Sequence, residues 1–266
     1  MATYPNLISD SLLINETIQL LQSSGGRASA VKVVDYVMKI RKPAPGLAKM
    51  LVSDMIEIDP RLQMNDDTVE LVEKSFANRN LSETDYVVFD FETTGAKTPP
   101  CRVTEIGAYR VKNGAIADEF HTLVNPETPI PFFITQLTGI SDRMVRYEPK
   151  FHEIAADFLD FIGDSVLVAH NANFDMRFLN HEIGRIHENF RVANPFLCTV
   201  QLSRKLLPHI ENHRLNTVAN YYSVSLVNHH RASDDARATA HIFINLLEDL
   251  QTRGVNDLAT AKKLKV

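Results

Sequence analysis

Tyr86-Val87-Val88-Phe89-Asp90-Phe91-Glu92-Thr93-Thr94-Gly95 is an apolar run broken by two acids. Its β-branched and aromatic residues predict a strand over 86–91. Residues two apart on a strand face the same side. Asp90 and Glu92 are therefore expected side by side near the strand's C-terminal end. Two neighbouring carboxylates in an apolar strand repel unless a positive group sits between them. Oxygen ligands of this kind suit Mg²⁺ or Mn²⁺. Acids two apart also fit a solvated strand end, so the pair alone leaves both readings open.

Downstream, strands are predicted over 103–112 and 115–124, joined by Asn113-Gly114, a strong hairpin signal. A helix follows over 151–162, then a buried strand over 165–169 and a helix over 172–187. A short strand over 196–198 precedes helices over 199–207, 215–222 and 232–250. A hairpin followed by βα units predicts an α/β fold with a mixed central sheet flanked by helices. Two further polar segments lie on this pattern. Ala169-His170-Asn171-Ala172-Asn173-Phe174-Asp175 passes from a strand into a helix, where Asp175 gains from the helix dipole. It also fits a simple N-terminal helix acid. His230-Arg231-Ala232-Ser233-Asp234-Asp235-Ala236 passes from a loop into a helix, and its five-residue step can bring the His230 imidazole and the Asp235 carboxylate to one cavity. Ser233 and Asp234 fit helix capping. His229 is the competing histidine, expected as a neighbour without a catalytic role.

Upstream, the character changes near residue 80. Leu13, Ile18, Leu20 and Leu21 belong to a first helix that Ser23-Ser24-Gly25-Gly26 ends. A second helix is expected over 28–39 and a third around Leu47, Met50, Leu51 and Met55. Alternating segments over 61–64 and 68–72, separated by Asn65-Asp66-Asp67, read as a hairpin. Three helices and a hairpin resemble a winged-helix module. Lys32, Lys39, Arg41, Lys42 and Lys49 would let it contact nucleic acid or a partner, and a small packing domain fits as well. The expected organisation is a winged-helix-like domain over 1–74, a polar linker over 75–85, an α/β domain over 86–250 and a tail over 251–266.

Composition bounds the function. The chain has 266 residues, 44% hydrophobic and 23% charged, with 28 Lys and Arg against 33 Asp and Glu for a net charge of −5. This is a globular composition, and it disfavours a protein that holds nucleic acid mainly by bulk positive charge. Cys101 and Cys198 are the only cysteines, too few for a disulfide framework or a cysteine-rich zinc site. No run approaches a membrane span, and Met1–Leu13 lacks the basic start and apolar run of a secretory leader. A cytoplasmic setting without membrane partners is the expectation.

Asp90 with Glu92, Asp175, and His230 with Asp235, in this order on an α/β pattern, resemble the DEDDh family of 3′→5′ exonucleases, whose fold is ribonuclease-H-like. Within it the likeness is to the proofreading epsilon subunits of bacterial DNA polymerase III. Supporting segments are Val103-Thr104-Glu105-Ile106-Gly107, Val124-Asn125-Pro126, Leu137-Thr138-Gly139-Ile140 and Cys198-Thr199. The likeness covers about residues 85–250 and not the first 80. It implies hydrolysis of the terminal phosphodiester at a nucleic-acid 3′ end, with release of a nucleoside 5′-monophosphate. It assigns Asp90, Glu92, Asp175 and Asp235 to two divalent ions, Mg²⁺ or Mn²⁺, with Asp90 bridging, Glu92 and Asp235 on the nucleophile side and Asp175 on the other. It makes His230 the general base, since imidazole titrates near working pH. It puts Thr93, Thr94 and Gly95 at the terminal nucleotide, with Asn171 and Phe174 lining the same cleft; Phe174 fits the core equally. The implied partner is single-stranded DNA at its 3′ end, with a DNA polymerase or repair protein as a further partner. These motifs do not choose between DNA and RNA. A binding module on an inert nuclease-like platform is the reading from another class, and intact acids argue against it.

Overall fold

The computed structural model describes residues 4–72, 79–226 and 229–263. The chain divides into two compact units, Met1–Lys74 with Ile183–Ala193, and Ser75–Glu182 with Asn194–Val266.

The first unit runs β1 (Leu7–Ser9), α1 (Leu12–Ser23), β2 (Arg27–Ser29), α2 (Ala30–Val37), α3 (Pro45–Ile56), β3 (Leu62–Asn65) and β4 (Thr68–Leu71). Ser11 and Ser29 cap α1 and α2 by accepting from the N–H three residues on, and Pro45 opens α3 where a missing N–H costs nothing. Leu21, Val33, Val34, Ala48, Val52 and Val69 share a core. The second helix is shorter than the sequence suggests. Ser29 caps it, so Arg27–Ser29 stays extended and pairs with β4. The hairpin thereby becomes an antiparallel sheet of order β2-β4-β3.

The second unit begins with β5 (Tyr86–Thr93), β6 (Val103–Lys112) and β7 (Ala115–Leu123), then α4 (Phe132–Thr138), α5 (Asp142–Val145), α6 (Phe151–Ile162), β8 (Val166–Ala169) and α7 (Ala172–Ile186). The three-residue β9 (Phe190–Val192) pairs antiparallel with β1 within the first unit. The chain then continues through β10 (Phe196–Cys198), α8 (Thr199–Leu206), α9 (Leu215–Tyr221), α10 (Ala232–Thr252) and α11 (Leu258–Lys263). The sheet has order β10-β8-β5-β6-β7, parallel from β10 to β5 and antiparallel from β5 to β7. It is the mixed, helix-flanked sheet that the hairpin-then-βα pattern predicts.

β5 is buried on both faces. Phe89 and Phe91 pack against Phe158 of α6. Tyr86 and Val88, on the other face, share a core with Ala236, Ala240 and Phe243 of α10, and the Tyr86 and Phe243 rings meet edge to face at 4.8 Å.

Two boundaries shift from the sequence reading. Residues 79–85 are packed into the unit and do not form a linker: Leu81 is fully buried, its N–H donates to Asn256 O at 2.8 Å, and Tyr86 Oη donates to Leu81 O at 2.8 Å. Residues 75–78 lie outside the described residues. The expected tail also belongs to the unit. α10 extends to Thr252, and Leu258 and Ala261 of α11 join the main core; residues 264–266 lie outside the described ones. In both segments single apolar residues among polar ones do the anchoring. Cys101 and Cys198 are free thiols. No helix among the described residues is long and apolar enough to cross a membrane.

Candidate active site

The site is built where α10 lands on the sheet. In the β5–β6 register Asp90 lies opposite Gly107, and Glu92 opposite Glu105. A Cβ on Gly107 would lie 2.3 Å from Ala232 O and 2.5 Å from Ser233 Cα. Only a residue without a side chain lets the first turn of α10 lie directly on the strand. That turn carries Asp235 to the acid pair: carboxylate oxygens of Asp90, Glu92 and Asp235 lie within 4.8 Å of one another.

Glu105 fixes the start of α10. It is fully buried, and it accepts from Arg231 Nη2 at 2.6 Å, Arg231 Nε at 3.1 Å and the Ala232 N–H at 2.9 Å. His121 Nε2 lies 2.8 Å from the same carboxylate. Burial pushes the Glu105 carboxyl up, but the hydrogen bonds from His121, Arg231 and Ala232 outweigh it and bring the pKa down to about 2. Glu105 is thus a permanent anion that holds Arg231 and the first N–H of the helix.

Asp175 stands in the first turn of α7. Its Oδ1 accepts from the Phe91 N–H at 3.2 Å, between the two strand acids. Arg102, bonded through Nε and Nη2 to Glu182 at 2.6 and 3.0 Å, ties the β6 end to α7. Burial raises the Asp175 pKa to about 8. Burial, with the charges of Asp235, Glu105 and Asp175, raises Glu92 to about 8 as well. Asp90 is pushed well up by burial and by the charges of Asp175, Glu92, Asp235 and Glu105. These acids are strained as anions and would ionise together only around positive charge. Clustered carboxylate oxygens are the donor set of a hard divalent cation, so the residues present fit such an ion.

The structure departs from the sequence reading at the histidines. His229 Nδ1 lies 3.0 and 3.1 Å from the two Asp235 oxygens, where only His230 was expected to matter. His230 is also at the site. Its ring stacks on that of His229 with centroids 3.9 Å apart, and its backbone N–H donates to Asp235 Oδ2 at 3.1 Å. His230 has φ of 72°, a left-handed conformation costing an L-residue about 1–2 kcal/mol. A ring nitrogen of His230 lies within 4.8 Å of ligand atoms of His229 and Asp235. Burial and His229 hold the His230 pKa below its ordinary value, against the pull of Asp235.

The expected nucleotide-contacting residues fall around this cluster. Thr93 and Thr94 are buried, with their hydroxyls used inside the turn: Thr93 Oγ1 donates to Gly95 O at 2.8 Å, and Thr94 Oγ1 accepts from the Arg102 N–H at 3.0 Å. At Gly95 a Cβ would meet Cys101 Sγ at 2.8 Å. Asn171 is exposed and lines a cavity with His170 and His229. Phe174 is half-buried, its ring 4.9 Å from that of Phe178. Glu105 and Arg231 stand in the sequence motifs without a role of their own, and His121 lies outside those motifs. The signal for Glu105 is an acid set among Val103, Ile106 and Ala108 in a strand that is buried over most of its length.

Comparisons with known proteins agree with this geometry. The family model for the RNase T exonucleases, described as Exonuclease, matches residues 87–243. The PolC-type DNA polymerase III of Caldanaerobacter subterraneus subsp. tengcongensis is 45% identical over 177 residues, covering 66% of this chain and 12% of its own length. The chain therefore spans about an eighth of that relative. Exonuclease X, solved in complex with 5′ overhanging duplex DNA, has a TM-score of 0.54 and 26% identity over 67% of this chain and 96% of its own. Exonuclease I of E. coli, solved with a dT13 oligonucleotide, has a TM-score of 0.56 and 15% identity over 64% of this chain and 42% of its own, a likeness of fold.

Proposed function

The chain belongs to the RNase T exonuclease family, and from that premise we propose that it removes nucleotides one at a time from the 3′ end of single-stranded DNA as nucleoside 5′-monophosphates. The observation that carries the reading is the convergence of Asp90, Glu92 and Asp235 within 4.8 Å, with Asp175 bonded to the strand between the first two. Asp90, Glu92, Asp175 and Asp235 would hold two divalent ions, Mg²⁺ or Mn²⁺. When bound, such ions neutralise the developing charge of phosphoryl transfer and activate water.

The chain's own residues do the rest. His230, its pKa held down by burial, is a neutral imidazole near neutral pH and can accept the proton of the attacking water. The water oxygen bonds to phosphorus as the bond from phosphorus to the 3′ oxygen of the penultimate nucleotide breaks. Glu105 and Arg231 hold the helix start that carries Asp235. The backbone of Thr93, Thr94 and Gly95 receives the terminal nucleotide, because both hydroxyls are already engaged. Asn171 and Phe174 border it. The PolC-type relatives support a role in proofreading during DNA replication, with a polymerase as partner. In the first unit, three helices and a three-stranded antiparallel sheet support a winged-helix-like module for DNA or partner contact.

The test uses a single-stranded oligonucleotide labelled at its 5′ end. Mg²⁺ or Mn²⁺ should give a ladder of shortened labelled products, and EDTA should stop it. Asp90→Ala and Asp235→Ala should each abolish the ladder with the fold intact. Full activity in either variant, or in EDTA, would overturn the reading. A label released first as a mononucleotide would reverse the polarity.

A further inference from the structure

Beside the acid cluster lies a cavity of about 680 Å³, bordered by His170, Arg204, His213, Arg214 and His229 together with Asn171, Asn212 and Asn216. Among the described residues its lining contains two guanidinium groups, three imidazoles and three amides, and no carboxylate. His229 is the shared wall: it faces the cavity and touches Asp235 with Nδ1.

The walls are held and the cations are not. His170 Nδ1 pairs with Thr199 Oγ1 at 2.9 Å. His213 Nδ1 pairs with Ser203 Oγ at 3.1 Å. Asn212 Oδ1 accepts from the Arg214 N–H at 3.0 Å and from Thr217 Oγ1 at 2.8 Å, which shapes the loop before α9. Among the described residues, neither the Arg204 nor the Arg214 guanidinium makes a hydrogen bond or ion pair. Two free guanidinium forks on a fixed wall without a carboxylate are a site for phosphate oxygens.

We propose that this cavity binds the phosphodiester immediately 5′ of the one being cut, through Arg204 and Arg214. The inference rests on the exonuclease reading and adds a subsite to it. A terminal nucleotide of a 3′ end carries one phosphate, the one that is attacked. A second anion site next to the acid cluster therefore serves the next phosphodiester along the strand. The subsite makes the site recognise a chain and not only its last nucleotide.

The test is the double variant Arg204→Gln with Arg214→Gln, read on two substrates and by binding. One substrate is a short single-stranded oligonucleotide. The other is thymidine 5′-(p-nitrophenyl phosphate), which has no second phosphate. kcat/KM should fall about tenfold or more on the oligonucleotide, mainly through KM, and less than about threefold on the nitrophenyl ester. Anisotropy of a fluorescein-labelled oligonucleotide in EDTA should show the weaker binding without hydrolysis. Its dependence on log salt should flatten by about 0.7 for each phosphate that the variant no longer neutralises. Equal losses on both substrates, or unchanged oligonucleotide affinity, would overturn the subsite. If the wild-type protein hydrolyses neither substrate with Mg²⁺ or Mn²⁺, the exonuclease reading fails instead, and the anisotropy comparison still judges the subsite.

Discussion

Gly107→Ala should damage the chemistry more than its size suggests. The added methyl carbon would sit 2.3 Å from Ala232 O, 2.4 Å from Ala232 C and 2.5 Å from Ser233 Cα, where real Cβ atoms essentially never come within 3.0 Å. All three atoms are backbone, so no side chain can swing aside. The start of α10 must retreat by about 0.7 Å or more. Asp235 lies in that first turn and moves with it, away from Asp90 and Glu92. Ligand distances at a metal centre tolerate only about 0.2 Å, and a misplacement near 1 Å can cost about 10²-fold in rate. kcat/KM on single-stranded DNA should therefore fall about 10²-fold, or roughly 2.7 kcal/mol of transition-state stabilisation. Overpacking should also cost about 1–3 kcal/mol of stability, read as a lowered melting temperature at roughly 2–4 °C per kcal/mol. Gly46→Ala is the control, because a Cβ there meets nothing within 4 Å. A folded Gly107→Ala protein with activity within threefold of wild type would refute the reasoning, since Asp235 could then not depend on the approach of α10 to β6.

Two further outcomes follow from the electrostatics and the histidines. Glu92 and Asp175 titrate near 8 in the folded chain and near their ordinary value of about 4 when unfolded. In that window the folded state holds more protons, so in EDTA the melting temperature should fall as pH rises from about 5 to 8; added Mg²⁺ or Mn²⁺ should raise it more at pH 8 than at pH 5, and a rise with pH in EDTA would contradict the charge cluster. His230→Ala should lose most of its turnover while largely sparing metal binding by calorimetry, and His229→Ala should lose less; the reverse order would transfer the general-base role to the ring that touches Asp235.

Much of the second unit was legible because its signals are local. The β6–β7 hairpin follows from Asn113-Gly114, and the strand carrying Asp90 and Glu92 from an unbroken apolar run. The misreadings have a common physical origin in non-local packing. Arg27–Ser29 becomes a strand only because β4 offers it a partner. Leu81 and Leu258 look unremarkable in polar surroundings, yet each is almost fully buried in one core. No periodicity within a short window reports an anchor that lies so far along the chain.

The site shows the same division. Asp90 and Glu92 meet by strand alternation, a two-residue rule. Asp175 and Asp235 join them only through the meeting of α7 and α10 with the sheet, held for α7 by the Arg102–Glu182 pair and for α10 by Gly107, Glu105 and Arg231. The charge of −5 illustrates why composition misleads here. Four of the acids are gathered at one point, where two divalent ions would neutralise them and let a phosphate approach. The cations that matter are two arginines on a wall without a carboxylate, one histidine away. Net charge averages over both, whereas a nucleic-acid strand entering the site would meet them separately, its scissile phosphate at the acids and its next phosphate at the arginines.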